Sequence, residues 1–376
     1  MKNSIKNVGL LILSVVVSLL IGEILVRIVT PQQLIVHSHH VWRPDETIGW
    51  RHMENANTQI NTGEGTVHFV TDSNGYRINY SAENEIGAGP DISIITIGDS
   101  YLEAVQVENR YTMPQVIRRT LSDKYRKRVD AVNDGVGAWG PNHYLMEAKL
   151  ALAKRKYDLG IIFIYAANDI VINKQSSFSP EVVSAQHHFR FPRSLKWSEL
   201  KINVFYPIND LLETSSHLFV LLKNRFQTIR SRIGLTAAYF PSVFMLSEKD
   251  SKRWQITVEI CQEIEHVFAE NGTPVFFVLL PAPYQVHKDE FYRYVEMFDI
   301  KLDSVYIDQP NTILGDMFES KSLHLIDPLK HMRKIAEHGQ VMYGHIDNHF
   351  NECGNRVVAE YIIEIVEEYL LYQLEG

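Results

Sequence analysis

The sequence predicts a three-layer α/β/α domain on a mainly parallel, doubly wound sheet, and three observations predict it. Short apolar runs rich in β-branched residues, of which Ile92–Ile97 is the purest, show no polar alternation, so both faces are covered. Between such runs lie segments with apolar residues every three or four positions, as in Met113, Val116, Ile117 and Leu121. Strand and helix patterns then alternate from Ile92 onward, the order that yields parallel strands with crossover helices. At 376 residues, 45% hydrophobic and 22% charged, the chain can bury a full core.

The elements follow in order. Val8–Gly22 carries no charge, and the apolar pattern resumes after Glu23 as far as Val29. Together they reach the length that crosses a bilayer. Lys2 and Lys6 precede the run, which puts the N-terminus in the cytoplasm and the rest of the chain outside. A cleaved signal peptide is the competing reading, for which Gly22-Glu23-Ile24 makes a poor cleavage site. Residues 1–30 are therefore expected to be one transmembrane helix in the inner (cytoplasmic) membrane, ahead of a periplasmic or extracellular domain.

Residues 31–90 read as connector and lead-in, with turn signals at Asn61-Thr62-Gly63, Ser73-Asn74-Gly75 and Gly87-Ala88-Gly89-Pro90 and a β-type piece at Thr66–Val70. Residues 91–376 hold the domain. Strands are expected at 92–97, 129–133, 159–165, 274–280 and 322–326. Helices are expected at 111–126, 142–154, 251–270, 327–338 and 355–373. The rhythm breaks at 172–250, which holds Phe178, Phe189, Phe191, Trp197, Phe205 and Tyr206 and turns amphipathic over Leu211–Ile233. That stretch reads as an insertion, either packed by its own aromatics or forming a lid or wall beside a site.

A net charge of −8, with no long Lys/Arg block, argues against a nucleic-acid partner. Cys261 and Cys353 either pair in an oxidising compartment or stand as separate buried thiols.

The run Ile92–Ile97 stops at Gly98-Asp99-Ser100. In isolation that tripeptide is a turn. At the C-terminal edge of a buried parallel strand it occupies the place where open α/β sheets hold ligands, and unpaired N–H groups there can bind an anion. Ser100 is thereby a candidate nucleophile. Three blocks follow it in order: Asn133-Asp134-Gly135-Val136-Gly137-Ala138-Trp139-Gly140, Ala166-Ala167-Asn168-Asp169 and Asp347-Asn348-His349-Phe350-Asn351. The four together resemble the SGNH (GDSL) hydrolase family, over a stretch from about Asn74 to the C-terminus that leaves out the 172–250 insertion. Ser73-Asn74-Gly75-Tyr76-Arg77 and Gly22-Glu23…Arg27 are similar to its membrane-anchored bacterial members.

The resemblance implies a mainly parallel, flavodoxin-like sheet and a serine nucleophile that works without cofactor or metal. It makes Ser100 the nucleophile, His349 the base that takes its proton, and Asp347 the acid that orients the imidazole. The oxyanion donors it implies are the Ser100 N–H, a backbone N–H of the second block and the side-chain amide of Asn168. The family's second-block glycine aligns with Ala138, which Gly137 and Gly140 flank, so Gly137 and Ala138 share the expectation. Ala166 stands where the third block usually opens with glycine, and Asp-x-His replaces Asp-x-x-His. The shorter spacing is similar to the alginate-type O-acetyltransferases. The expected reaction is hydrolysis, through an acyl-enzyme, of O-acyl and above all acetyl esters of envelope carbohydrate or lipid. Transfer of the acyl group to a sugar hydroxyl would use the same residues and need an acyl-donor partner in the membrane. A non-catalytic glycan-binding or assembly protein is the third expectation.

Overall fold

A computed structural model describes residues 2–32, 34, 41–62, 64–79, 89–170, 200, 204–232, 240–344 and 348–375. They belong to two units, one of Met1–His37, Asn61–Thr66 and Ala185–Ala238, the other of Ser38–Ile60, Val67–Ser184 and Tyr239–Gly376.

The chain begins with helix α1 (Lys2–Val29), whose segment Gly9–Val29 is long and apolar enough to cross a membrane, with mean hydropathy 2.6. A hairpin of β1 (Trp42–Asp45) and β2 (Gly49–His52) follows. The lead-in then supplies β3 (Asn57–Asn61), β4 (Thr66–Thr71) and β5 (Arg77–Ile78). Next come β6 (Ile92–Gly98), α2 (Ser100–Glu103), α3 (Met113–Tyr125), β7 (Val129–Gly135), α4 (Pro141–Lys154) and β8 (Leu159–Tyr165). Helices α5 (Tyr206–Ser215) and α6 (His217–Arg232) belong to the first unit. The chain closes with α7 (Lys252–Glu270), β9 (Val275–Leu280), α8 (Pro283–Val286), α9 (Lys288–Phe298), α10 (Gln309–Ser320), β10 (Leu325–Ile326), α11 (Leu329–Ala336) and α12 (Glu352–Glu375).

One eight-stranded sheet runs in the order β10-β9-β8-β6-β7-β5-β4-β3. Strands β10, β9, β8, β6 and β7 pair in parallel, whereas β5 joins β7 antiparallel and β4 joins β5 antiparallel. Numbered along the chain, the parallel strands stand 2-1-3-4-5, the flavodoxin-like order. That order reverses between β6 and β8, so the crevice beyond their carboxyl ends is where a ligand belongs.

Successive residues of β6 face opposite layers: Ile92 and Ile94 pack with α3, α11 and α12, while Ile95 and Ile97 pack with α4, α7 and α10. Every residue of β6 is buried, which is why its sequence lacks alternation. The two cysteines are free, as Cys261 packs in one layer and Cys353 against the other. The strand expected at 322–326 shortens to Leu325–Ile326, because Ser322 takes a left-handed turn conformation at φ +55°. Within 172–250, Phe178, Phe189, Phe191 and Trp197 lie outside the described residues, Phe205 is exposed, and Val243 and Phe244 are buried in the second unit.

Candidate active site

Ser100 begins α2, with Asp99 alone between it and the end of β6. Asp99, wholly buried before it, caps that helix by accepting the Tyr101 N–H at 2.9 Å. The Ser100 Oγ lies 2.8 Å from His349 Nε2, and both side chains are half-buried. The two residues are 249 positions apart, so the contact is a product of the fold. A hydroxyl in hydrogen-bond reach of an imidazole nitrogen can lose its proton as it attacks.

The loop bearing His349 is held from several sides. Tyr101 Oη donates to Asn348 O at 2.8 Å, and Gln106 Nε2 donates to Phe350 O at 2.7 Å. Gly344 N donates to His349 O at 2.9 Å, and the Asn351 amide donates to Val341 O and Tyr343 O. Asn351 Oδ1 accepts from Gly354 N at 3.0 Å, which starts α12 earlier than the sequence pattern does. Gly354 is required here, since a Cβ would sit 2.1 Å from Met342 O. The Tyr101 ring lies 4.7 Å from the His349 ring and stacks on Tyr165 at 4.0 Å. Asp347, the expected orienting acid, lies outside the described residues.

The second block forms the end of β7 and the loop into α4. Gly135 tolerates no side chain, because a Cβ would meet Glu103 N at 2.2 Å. The loop is pinned by Val136 N to Gly98 O at 3.1 Å, by Trp50 Nε1 to Gly137 O at 2.9 Å and by Trp139 Nε1 to Trp50 O at 2.9 Å. Ala138 holds φ +63°, the conformation glycine adopts without strain. The backbone N–H groups of Ser100, Gly137 and Ala138 have no acceptor among the described residues. Beneath the loop lies buried Glu103, whose Oε1 accepts from Trp42 Nε1 at 2.9 Å and contacts His52 Nε2 at 2.7 Å.

Asn168 stands in the turn after β8, across the switch point from Ser100. Its Nδ2 donates to Asp99 Oδ2 at 3.3 Å, which leaves the second amide hydrogen to donate elsewhere. Asp169 beside it is buried and accepts from Tyr144 Oη at 2.9 Å and Tyr165 N at 2.8 Å. Burial and the nearby Asp99 charge push the Asp169 carboxyl well above its ordinary range. Burial likewise pushes Asp99 up to about 6, against the pull of the Tyr101 N–H, the His349 charge and the Asn168 amide.

A pH effect on stability follows from Asp99. Unfolded, its carboxyl titrates near 4; folded, it titrates at about 6. Between those values the folded state holds a proton that the unfolded state has lost, so stability falls as pH rises through the window. Asp99→Asn should remove that slope. Denaturant unfolding should show the variant gaining on the parent from pH 4 to 6, reaching about 2–3 kcal/mol, then levelling off. A difference that is flat across the window would disprove the assignment.

Ser100, Gly137, Ala138 and Asn168 thus stand just past the carboxyl ends of β6, β7 and β8, and His349 in the loop before α12. The residues that hold them, Tyr101, Gln106, Trp50 and Glu103, carry no signal in the sequence beyond the adjacency of Tyr101 to Ser100.

No family model and no curated protein matches the sequence. Solved structures similar to the chain include esterases and lipolytic proteins. One is an acetyl xylan esterase, at 12% identity and TM-score 0.41, covering 73% of this chain and 100% of that one. A member of the lipolytic G-D-S-L family from Veillonella parvula gives 13% and 0.37, covering 73% and 98%. The lipase/acylhydrolase from Enterococcus faecalis gives 12% and 0.39, covering 74% and 96%. What the site can do is decided by its own residues.

Proposed function

We propose that the chain is a serine esterase of the SGNH type that works through an acyl-enzyme. The contact of Ser100 Oγ with His349 Nε2 at 2.8 Å, beyond the carboxyl end of the switch-point strand, carries this reading. Ser100 Oγ attacks the ester carbonyl carbon while His349 Nε2 takes its proton, and the imidazolium then returns that proton to the departing alkoxide. Water attacks the acyl-enzyme with the same base, and the carboxylic acid leaves. The N–H groups of Ser100 and of Gly137 or Ala138, with the free hydrogen of the Asn168 amide, receive the oxyanion. Asp347 is the acid assigned to the other ring nitrogen of His349.

The substrate class we propose is an O-acyl, above all acetyl, ester of envelope carbohydrate or lipid. Its support is the apolar segment Gly9–Val29 of α1, which as an anchor with its N-terminus inside would leave the rest of the chain outside.

The test is a fluorophosphonate probe on the full chain in detergent, with p-nitrophenyl acetate turnover alongside. Mass spectrometry should place the adduct on Ser100, and Ser100→Ala should neither label nor turn over. A folded parent that does neither sinks the esterase reading. Added sugar acceptors separate hydrolysis from transfer by whether acyl-sugar forms at the expense of free acid. Asn168→Ala should lower kcat by about 10²–10³-fold with little change in KM, as loss of one oxyanion donor does. A purely raised KM would instead make Asn168 a binding residue.

A further inference from the structure

Glu23 breaks an apolar segment that is otherwise suited to a bilayer, and the first unit surrounds that charge with partners. Taking Gly9–Val29 as the span, Glu23 lies six residues from its C-terminal end, roughly 9 Å along the helix. Its Oε2 accepts from Ser216 Oγ at 2.8 Å and Leu218 N at 2.9 Å. Its Oε1 accepts from His217 N at 3.0 Å and Arg27 Nε at 2.6 Å. Arg27 Nη2 donates in turn to Ser215 O at 2.6 Å, and Gln32 N donates to His217 Nδ1 at 2.8 Å. Gly22 lets Leu218 approach, since a Cβ there would lie 3.1 Å from Leu218 Cδ2. An ionised group within a span needs such partners, and here they are the N-terminus of α6 and the end of α5.

Much of the outer surface of α5 and α6 is apolar, although Thr214, Ser215 and Arg225 are exposed as well. Three polar side chains meet where the helices join: Lys223 of α6 pairs with Glu213 of α5 and donates to Asn209 Oδ1 at 2.9 Å, while Asn209 Nδ2 donates to Glu213 Oε2 at 2.8 Å. Meanwhile Phe205, Ile208, Leu211, Leu222 and Phe226 are 41–64% exposed. Single exposed apolar residues are ordinary, but here a whole set points outward on helices tied to the apolar span.

We infer that α5 and α6 form a brace seated in the lipid interface beside α1, with those five side chains among the acyl chains and Glu23 fastening the joint. The inference rests on α1 being a membrane span. Lipid is the occupant because the brace begins within the depth of that span and continues its apolar surface. An amphipathic helix lying in the interface is held by such burial. The brace would fix the first unit to the membrane at more than one helix.

The test uses the full chain with Cys353→Ser, which leaves the buried Cys261, and one added cysteine at a time: Leu13→Cys, Leu222→Cys, Phe226→Cys or Tyr292→Cys. Each is labelled with an environment-sensitive nitrobenzoxadiazole dye and reconstituted into phosphatidylethanolamine/phosphatidylglycerol vesicles. Labels at 222 and 226 should emit blue-shifted, be quenched by doxyl lipid and resist aqueous iodide; the label at Tyr292, exposed in the second unit, should do the opposite. Iodide quenching at 222 and 226 overturns the brace. Resistance to both quenchers also overturns it, since protein would then cover the face. The Leu13 label separates the failures: quenched by lipid, it keeps the anchor and discards only the brace, whereas quenched by iodide, it discards the anchor as well.

Discussion

Ser100→Ala is expected to lower kcat/KM for p-nitrophenyl acetate by at least about 10⁴-fold, and His349→Ala by a similar factor. A factor of that size is about 5 kcal/mol of transition-state stabilisation. The reason lies in one proton. The Ser100 hydroxyl is a weak nucleophile until a base accepts its hydrogen, and among the described residues His349 Nε2 stands 2.8 Å away to do so. If the proposed nucleophile and base act as one device, the double variant should be no slower than either single one. Steady-state rates of the parent, both singles and the double measure this. Losses that multiply would mean the two side chains serve separate steps. A Ser100→Ala enzyme keeping more than a tenth of the parent's activity would mean the nucleophile lies elsewhere. What rate survives in the double variant should then come from the proposed oxyanion donors, which neither substitution removes.

The site was legible where chemistry and local pattern coincide. Ser100 follows a buried apolar run and is found from its own neighbourhood, whereas Asn168 and His349 were reached through the family resemblance, with a strand end before the one and a helix after the other agreeing with it. Their supports come from far along the chain. Trp50 reaches Gly137 across 87 residues and His52 reaches Glu103 across 51, and periodicity tells which residues face inward, not which partner they meet. The parallel strands were legible because burial on both faces writes itself as unbroken apolar sequence. Edge strand β3 was hidden, since Ile60 alone of its five residues is buried, whereas the alternation of β4 showed as the β-type piece Thr66–Val70. Helices α9 and α10 follow strand β9 behind Pro281 and Pro283, where proline punctuation masks a helical spacing such as Phe291, Tyr294, Val295 and Phe298.

Arg77→Met should cost the second unit about 3–5 kcal/mol of stability, the scale seen when a buried charged group is taken from its partners. Sequence likeness marks Ser73-Asn74-Gly75-Tyr76-Arg77 without a reason; the contacts supply one. The Arg77 side chain is 1% exposed, and its guanidinium sits 5.0 Å over the Phe69 ring. Nη1 donates to Glu103 O and Ala104 O at 2.6 Å each, and Nη2 donates to Val107 O at 2.6 Å. These carbonyls lie where α2 ends, at Ala104 with φ +50°, so Arg77 fastens the C-terminal end of the helix that begins with Ser100. Burial draws its pKa down to about 10, which leaves it charged at neutral pH. Methionine fills the space but leaves Glu103 O and Val107 O without a donor and Ala104 O with the Val107 N–H alone, each carbonyl left unpaired costing about 1–3 kcal/mol before relaxation. Lysine keeps the charge but lacks the planar fork that spans the three oxygens, so Arg77→Lys should recover only part of the loss. Urea unfolding of parent, Arg77→Lys and Arg77→Met should therefore give midpoints in that descending order at an unchanged slope. A loss under about 1 kcal/mol in Arg77→Met would show that α2 holds its end without the clamp, and the placement of Ser100 would then rest on Asp99 and the β6 terminus alone.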